Sequence, residues 1–432
     1  MNEIKIIKDI AEKLSDINFV DKILLEKDNY LTVDNNKFYP YGPLSLSHGI
    51  PGLCLLYAEL NKLYPNEGWD DLSNYYIKMM VDHMEKNGLS EVSLFSGTAG
   101  IALSIMANSC NGKNYNSLLN TLNDYLIKQL NVNLNYLMEK RTIESLDYDT
   151  MQGVAGTANY LLLNYKKEKD SLKKILQYFV NLSEHNLYNN INVPNWLIKK
   201  ENMFSDYEKK CYSNGILNLG LSHGIPGPLI ILCKSYSKNI IVDGEIESIK
   251  RIVKDIIKLK IKGTNSWNGI VEMDEYINGA YNLNATRDAW CYGTPGLSYS
   301  LLVSSITLAD NNLFQLSCNA MKESLKRRKE LFSPSFCHGY SGLAYLSYKF
   351  YCKTKDKLFL NESENLLEKI LSYYNNKAPF GFYNIEYSDD CGIKNQNSIA
   401  LIDGVVGILL TILELTHKTN NVYWDTAFLL DD

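Results

Sequence analysis

Two short strings in the second half of the chain set thiols and an imidazole directly ahead of paired glycines: WCYGTPG at 290–296 and CHGYSG at 337–342. Cys291, Cys337 and His338 would offer two thiolates and one imidazole, a borderline-soft donor set that suits Zn²⁺ and not Mg²⁺ or Ca²⁺. Three protein ligands rather than four leave a coordination position open, as catalytic sites do. The competing reading is three satisfied buried side chains, because cysteine is among the most buried residue types and a lone histidine is more often structural than a ligand. For Cys54, Cys110, Cys211, Cys233, Cys318, Cys352 and Cys391 that buried reading is the expectation. The spacing is not a zinc finger's, so only the fold can bring the three candidates to one point.

The elements that would do so repeat seven times. Gly-x-x-Gly precedes an apolar run at Gly49–Gly52, Gly97–Gly100, Gly153–Gly156, Gly224–Gly227, Gly293–Gly296, Gly339–Gly342 and Gly404–Gly407. The runs, such as IALSIMA and ILLTILEL, are apolar nearly all round, which is the pattern of a fully buried helix. Between them, and at the N-terminus, lie seven segments with apolar residues every three or four positions, such as IESIKRIVKDIIKLKI. Seven buried helices and seven amphipathic partners are satisfied by an inner ring enclosed by an outer one. The expected fold is all-α, an (α/α)7 toroid in a single domain over residues 1–432. Glycine is expected before each inner helix because converging loops need close backbone approach and positive φ.

If the repeats superpose, the two residues ahead of each first glycine face a common space. Those places hold Ser47-His48, Phe95-Ser96, Met151-Gln152, Ser222-His223, Cys291-Tyr292, Cys337-His338 and Ile402-Asp403, which takes in three of the six histidines. Cys291 and Cys337-His338 come from adjacent repeats at equivalent heights, so they can meet. Two stretches break the helical period. Residues 188–218, with Pro194 and Trp196, read as a small insertion with room for strands on the face where the loops converge, and Gly263 to Thr286 is irregular.

Composition removes several classes of function. The net charge is −5 with no basic block, which argues against nucleic acid as a partner. MNEIKIIKDIAEKLSDI has acids among its apolar residues and reads as an amphipathic helix, not a signal peptide. No stretch approaches the ~20 apolar residues that span a bilayer, so membrane contact is at most peripheral. Nine cysteines without disulfide-scaffold spacing point to a reducing compartment, the cytoplasm.

WCYGTPG and CHGYSG, together with LSHGIPG, RDAWC and the seven glycine pairs, closely resemble the lanthionine synthetase C-like cyclases of class I lantibiotic biosynthesis across essentially the whole chain. The resemblance implies an α-toroid with one zinc that adds a peptide cysteine to dehydroalanine or dehydrobutyrine. It carries the metal ligands onto Cys291, Cys337 and His338, and the proton-transfer residues onto His223, Asp149, Arg287 and Tyr292. Asp147 is the alternative to Asp149 if that loop is slipped, and a helix N-cap is the structural role Asp149 could have instead. His48 matches the rim position without a catalytic assignment and is expected to be structural or to touch peptide. The implied partners are a dehydrated precursor peptide with its leader, a lantibiotic dehydratase and an ABC exporter, the last two allowing peripheral placement at the inner membrane face.

The chemistry fits that role. A free thiol has a pKa near ~8.5, and a metal that binds it as thiolate raises the fraction that attacks. Addition at the β-carbon leaves an enolate to be protonated at the α-carbon, for which a histidine near working pH is suited. Arg287 could steady the enolate or a carboxylate, and Tyr292 could position water or substrate. The main alternative is a zinc-containing toroid of the same family that binds a thiol or peptide without closing rings; Tyr292 in WCYG leans toward the bacterial cyclases. Prenyltransferase β subunits use an Asp, Cys and His set not found at these positions. A toroidal glycosidase would need two carboxylates, with Asp149 and Asp403 the obvious pair. A start at Met1 without a long dehydratase segment favours a standalone enzyme over the cyclase half of a bifunctional synthetase.

Overall fold

The first glycine of each pair precedes, and the second lies in the first turn of, a helix whose residues are almost all buried: Ile50–Leu63, Thr98–Ala107, Val154–Leu163, Pro226–Ser237, Thr294–Leu308, Tyr340–Thr354 and Val405–His417. In this computed structural model, which describes residues 3–164, 168–281, 286–419 and 422–432, several of their hydroxyls turn back onto their own helix. Ser104 Oγ donates to Ile101 O at 2.8 Å, Ser300 Oγ to Leu297 O at 2.7 Å and Thr411 Oγ1 to Gly407 O at 2.8 Å. Others tie the helix to its amphipathic partner, as Ser235 Oγ does to Glu245 Oε1 at 2.7 Å and Ser347 Oγ to Phe359 O at 2.7 Å, so the polar atoms of these helices are satisfied as their apolar surface packs.

The partners expected from the three-to-four period are Glu3–Lys13, Trp69–Asn87, Asn116–Glu139, Lys169–Leu182, Glu245–Lys258, Asn311–Arg327 and Lys357–Leu371. On Glu245–Lys258 the buried set includes Ile249, Ile252, Val253 and Ile256, one stripe along the helix. Asp310 and Asp356 start two of these helices by accepting backbone N–H bonds from Leu313 at 3.0 Å and Leu358 at 3.0 Å.

The chain forms two compact units. One, of residues through 91, 95–123 and 331–425, holds four buried helices in contact in the order Tyr340–Thr354, Val405–His417, Ile50–Leu63 and Thr98–Ala107. It also carries two antiparallel hairpins, Leu31–Val33 with Asn36–Phe38 and Asn384–Ser388 with Gly392–Gln396. Asp389 N–H donates to Thr32 O at 2.9 Å and joins them. The other, of residues 92–94, 124–330 and 426–432, holds Val154–Leu163, Pro226–Ser237 and Thr294–Leu308 side by side.

Within the second unit the two irregular stretches form one structure. Strand His185–Tyr188 pairs with Ile191–Pro194, and Ile216–Asn218 pairs antiparallel with Ile270–Glu272. Ile198, Met203, Ile216, Tyr212 and Ile270 pack together beneath them. Leu219, one residue past the strand, donates its N–H to Gly269 O at 2.8 Å, so the irregular segment leads straight into the LSHG loop.

Among the glycines the close approach that was expected takes place within the loops. A Cβ on Gly153 would strike the backbone of Asp149, and one on Gly293 would strike the carbonyl of Arg287. Of the first glycines, Gly293 alone has a positive φ, 89°, so the left-handed conformation expected at each is needed at one. Steric approach, not φ, explains Gly49, Gly153, Gly224, Gly339 and Gly404.

Candidate active site and metal ligands

The loops ahead of the buried helices are stitched together by equivalent residues. In the second unit Thr150 N–H donates to Ser222 O at 3.0 Å and Ser222 N–H to Cys291 O at 3.2 Å. In the first, Cys337 N–H donates to Ile402 O at 2.7 Å and Leu401 N–H to Ser47 O at 2.8 Å. These bonds put the positions just before the glycines in register within each unit, the arrangement the repeat required.

Asp149 is fully buried and uses both oxygens. Oδ1 accepts the N–H groups of Gln152 and Gly153, each at 2.7 Å, while Oδ2 lies 2.5 Å from Nδ1 of His223. Asp149 is not the N-cap of the helix that follows, which is Gly153; its Oδ1 instead holds the turn ahead of that helix. Asp147 is engaged elsewhere, accepting from Lys140 Nζ at 2.8 Å and from Glu144 N–H at 2.9 Å. With Nδ1 facing Asp149, Nε2 is the other ring nitrogen of His223. Burial works against the charged ring, but the hydrogen bond and charge of Asp149 outweigh it and hold His223 above the ordinary histidine value.

Tyr292 tilts over this pair, its ring centroid 6.3 Å from that of His223. Asn218 Nδ2 donates to its hydroxyl at 3.2 Å, and burial pushes the phenol well above its usual range, so it stays a neutral donor. A Cβ on Gly220 would come within 2.7 Å of both Cys291 O and the Tyr292 ring, so the LSHG loop lies against WCYG because residue 220 has none. Arg287 is half-buried four residues before Cys291.

In the first unit Cys337 is buried, and His338 Nε2 lies 2.9 Å from Oε2 of Glu386. His48 Nε2 is 3.3 Å from Asp403 Oδ2, and its Nδ1 is 2.8 Å from Ser47 Oγ. Burial disfavours the charged His48 ring, yet Asp403 wins and raises it. The carboxylates of the glycosidase alternative, Asp149 and Asp403, are thus each committed to a histidine. Cys291, Cys337 and His338 make up a group whose side chains, one ligand atom each, could bind a metal. Two sulfurs and one nitrogen fit zinc by donor chemistry.

The other cysteines divide. Cys54, Cys233 and Cys318 are buried as expected, whereas Cys110, Cys211 and Cys391 are exposed and Cys352 is half-buried. The exposed three correct the buried reading, because they sit in turns or at the end of the short helix Asp206–Cys211, which the core does not cover. Sequence reasoning missed Glu386 and Asn218. Both lie on strands outside the glycine motif, and nothing in their spacing pointed to a partner.

The sequence model of the family described as lanthionine synthetase C-like protein matches residues 40–429. The chain belongs to this family. It is 30% identical over 425 residues to the nisin biosynthesis protein NisC of Lactococcus lactis subsp. lactis, covering 96% of this chain and 95% of that one. The solved structure of nisin cyclase is similar over 98% of this chain and 97% of its own, with a TM-score of 0.82 and 28% identity. The family fold, an α/α toroid, is the one read from the sevenfold repeat.

Proposed function

We propose that the chain is a zinc-dependent lanthionine synthetase, a single catalytic domain over residues 1–432 that adds peptide cysteine thiols to dehydroalanine or dehydrobutyrine in a lantibiotic precursor. The observation that carries this reading is family membership over nearly the whole chain, in a protein that carries the Cys291, Cys337 and His338 group. Zinc held by those three side chains would supply Lewis acidity that keeps a peptide thiol in its nucleophilic, deprotonated form.

The remaining work falls to the chain's own groups. As sulfur bonds to the β-carbon, the C=C π pair moves toward the neighbouring carbonyl, and a proton must reach the α-carbon. His223 delivers it from Nε2 while Asp149, fixed by two backbone N–H bonds, holds the ring by Nδ1. Tyr292 donates its hydroxyl proton to substrate or water, and Arg287 offsets the negative charge that develops on the carbonyl oxygen. The substrate is a dehydrated precursor peptide with its leader, with a lantibiotic dehydratase and an ABC exporter as further partners in the cytoplasm or at the inner membrane face. No helix among the described residues is long and apolar enough to cross a membrane.

The test is to incubate the zinc-loaded protein with a dehydrated precursor and count free thiols by alkylation and mass spectrometry. Loss of thiols without change of peptide mass is the expected result. Retention of thiols in every dehydrated precursor tried, with the peptide nevertheless bound, would replace the cyclase by a thiol- or peptide-binding protein of the same fold.

A further inference from the structure

An imidazole can give a metal only one of its two nitrogens, and the group that holds the other decides which. At His338 that group is Glu386. Glu386 Oε2 lies 2.9 Å from Nε2, with the side chains 17% and 19% exposed respectively. The oxygen is at hydrogen-bond distance but not on the N–H axis, so the contact as it stands is an ion pair.

Glu386 is itself held. Its Oε1 accepts the N–H of Tyr387 at 2.8 Å. The strand is anchored one residue earlier, where Ile385 N–H donates to Ser333 Oγ at 3.2 Å. Ser333 also fixes the loop carrying His338, because its carbonyl accepts the N–H of Tyr340 at 2.9 Å. Carboxylate and ring therefore hang from one short scaffold. Lys394, directly across the hairpin from Glu386, has its Nζ 4.1 Å from the Tyr30 ring centroid, in a contact of its own. A carboxylate this far from solvent needs a compensating partner, and His338 supplies one.

We propose that Glu386 is a positioning residue for His338: it accepts the Nε2 proton, fixes the ring, and leaves the Nδ1 lone pair as the metal ligand. This rests on the zinc reading of Cys291, Cys337 and His338. It adds a residue from the hairpin Asn384–Gln396, outside the repeated motif, to the machinery of the site.

The experiment uses the full chain. Zinc affinity is measured by competition with a chromophoric chelator for wild type, Glu386→Ala and Glu386→Gln, and histidine ¹⁵N NMR is recorded on the zinc-loaded wild type. Glu386→Ala is expected to weaken zinc binding about 10–100-fold, and Glu386→Gln, whose amide oxygen still accepts from Nε2, to recover part of that loss. The His338 spectrum should show Nε2 protonated and Nδ1 metal-bound. An Nε2-bound metal overturns the proposal, as does a Glu386→Ala affinity within about twofold of wild type, well under that range. The wild-type spectrum reads the ligating nitrogen even if the alanine variant fails to fold. A wild type that takes up no zinc refutes the metal reading itself, and the proposal with it.

Discussion

Asp149 divides its oxygens between the backbone and His223, so different substitutions separate the two tasks. Asparagine keeps a carbonyl to receive the Gln152 and Gly153 N–H groups but removes the charge facing Nδ1. That charge overcomes burial and raises His223. A histidine with a raised pKa keeps its proton to higher pH, so its acid form is present below that value and is lost as pH climbs through it. The rate of ring closure at saturating peptide and zinc should therefore fall on an alkaline limb above the usual histidine range. Asp149→Asn should move that limb to lower pH, and an unmoved limb would assign the proton to another group. His223→Ala should slow closure by about 10²–10⁴-fold with zinc per chain unchanged; metal loss there would mean that His223 is a ligand. Cys291→Ala and Cys337→Ala should each abolish zinc retention in elemental analysis, leaving the remaining donors too few for a stable site.

At the scale of elements, Gly293 joins the Cys291 loop to its buried helix under a double backbone constraint. Its φ of 89° and the carbonyl of Arg287 where a Cβ would go both exclude alanine without a shift of the loop. Gly293→Ala should cost about 1–3 kcal/mol of stability and weaken zinc binding by displacing Cys291, both measurable by denaturation and chelator competition. That glycine was visible in the sequence for the same reason the fold was. A helix buried on all sides is written as an unbroken apolar run, and Thr98–Ala107 or Val405–His417 has no other reading at that length. The hairpins were harder to see. Leu31–Val33 and Asn36–Phe38 have three residues each and are mostly exposed, so their sequence carries no alternation to detect. Their turn did leave a mark: Asp34 and Asn35 have φ of 51° and 63°, the left-handed pair that Asp and Asn tolerate in two-residue hairpin loops. Glu386 went unread because a hairpin set its carboxylate against a histidine 48 residues earlier, a contact without local periodicity.

For the molecule as a whole, stability depends on charges that the apolar runs give no hint of. Lys349 faces Asp425 at 3.4 Å in the first unit, and in the second Lys234 pairs with Asp431, both nearly closed to solvent. The second pair belongs to a network that holds residues 426–432 in place. Lys234 Nζ also donates to Asn159 Oδ1 at 3.0 Å, and Asn159 Nδ2 donates to Thr426 O at 2.8 Å and to Asp431 Oδ1 at 2.7 Å. The same segment receives the indole N–H of Trp290 at Phe428 O, 3.0 Å away, with the two rings edge to face at 5.0 Å. Trp290 is the residue before Cys291, so anchoring this segment also steadies the Cys291 loop. Lys234→Met removes one charge and leaves the other buried, which should cost about 3–5 kcal/mol. Pairing it with Asp431→Leu removes the stranded carboxylate and should restore much of that loss, because an apolar pair of similar volume avoids the desolvation penalty. Urea denaturation of wild type, both single variants and the double variant checks this. If the double variant is no more stable than Lys234→Met, the penalty lies in lost packing around Asn159 and not in an orphaned charge.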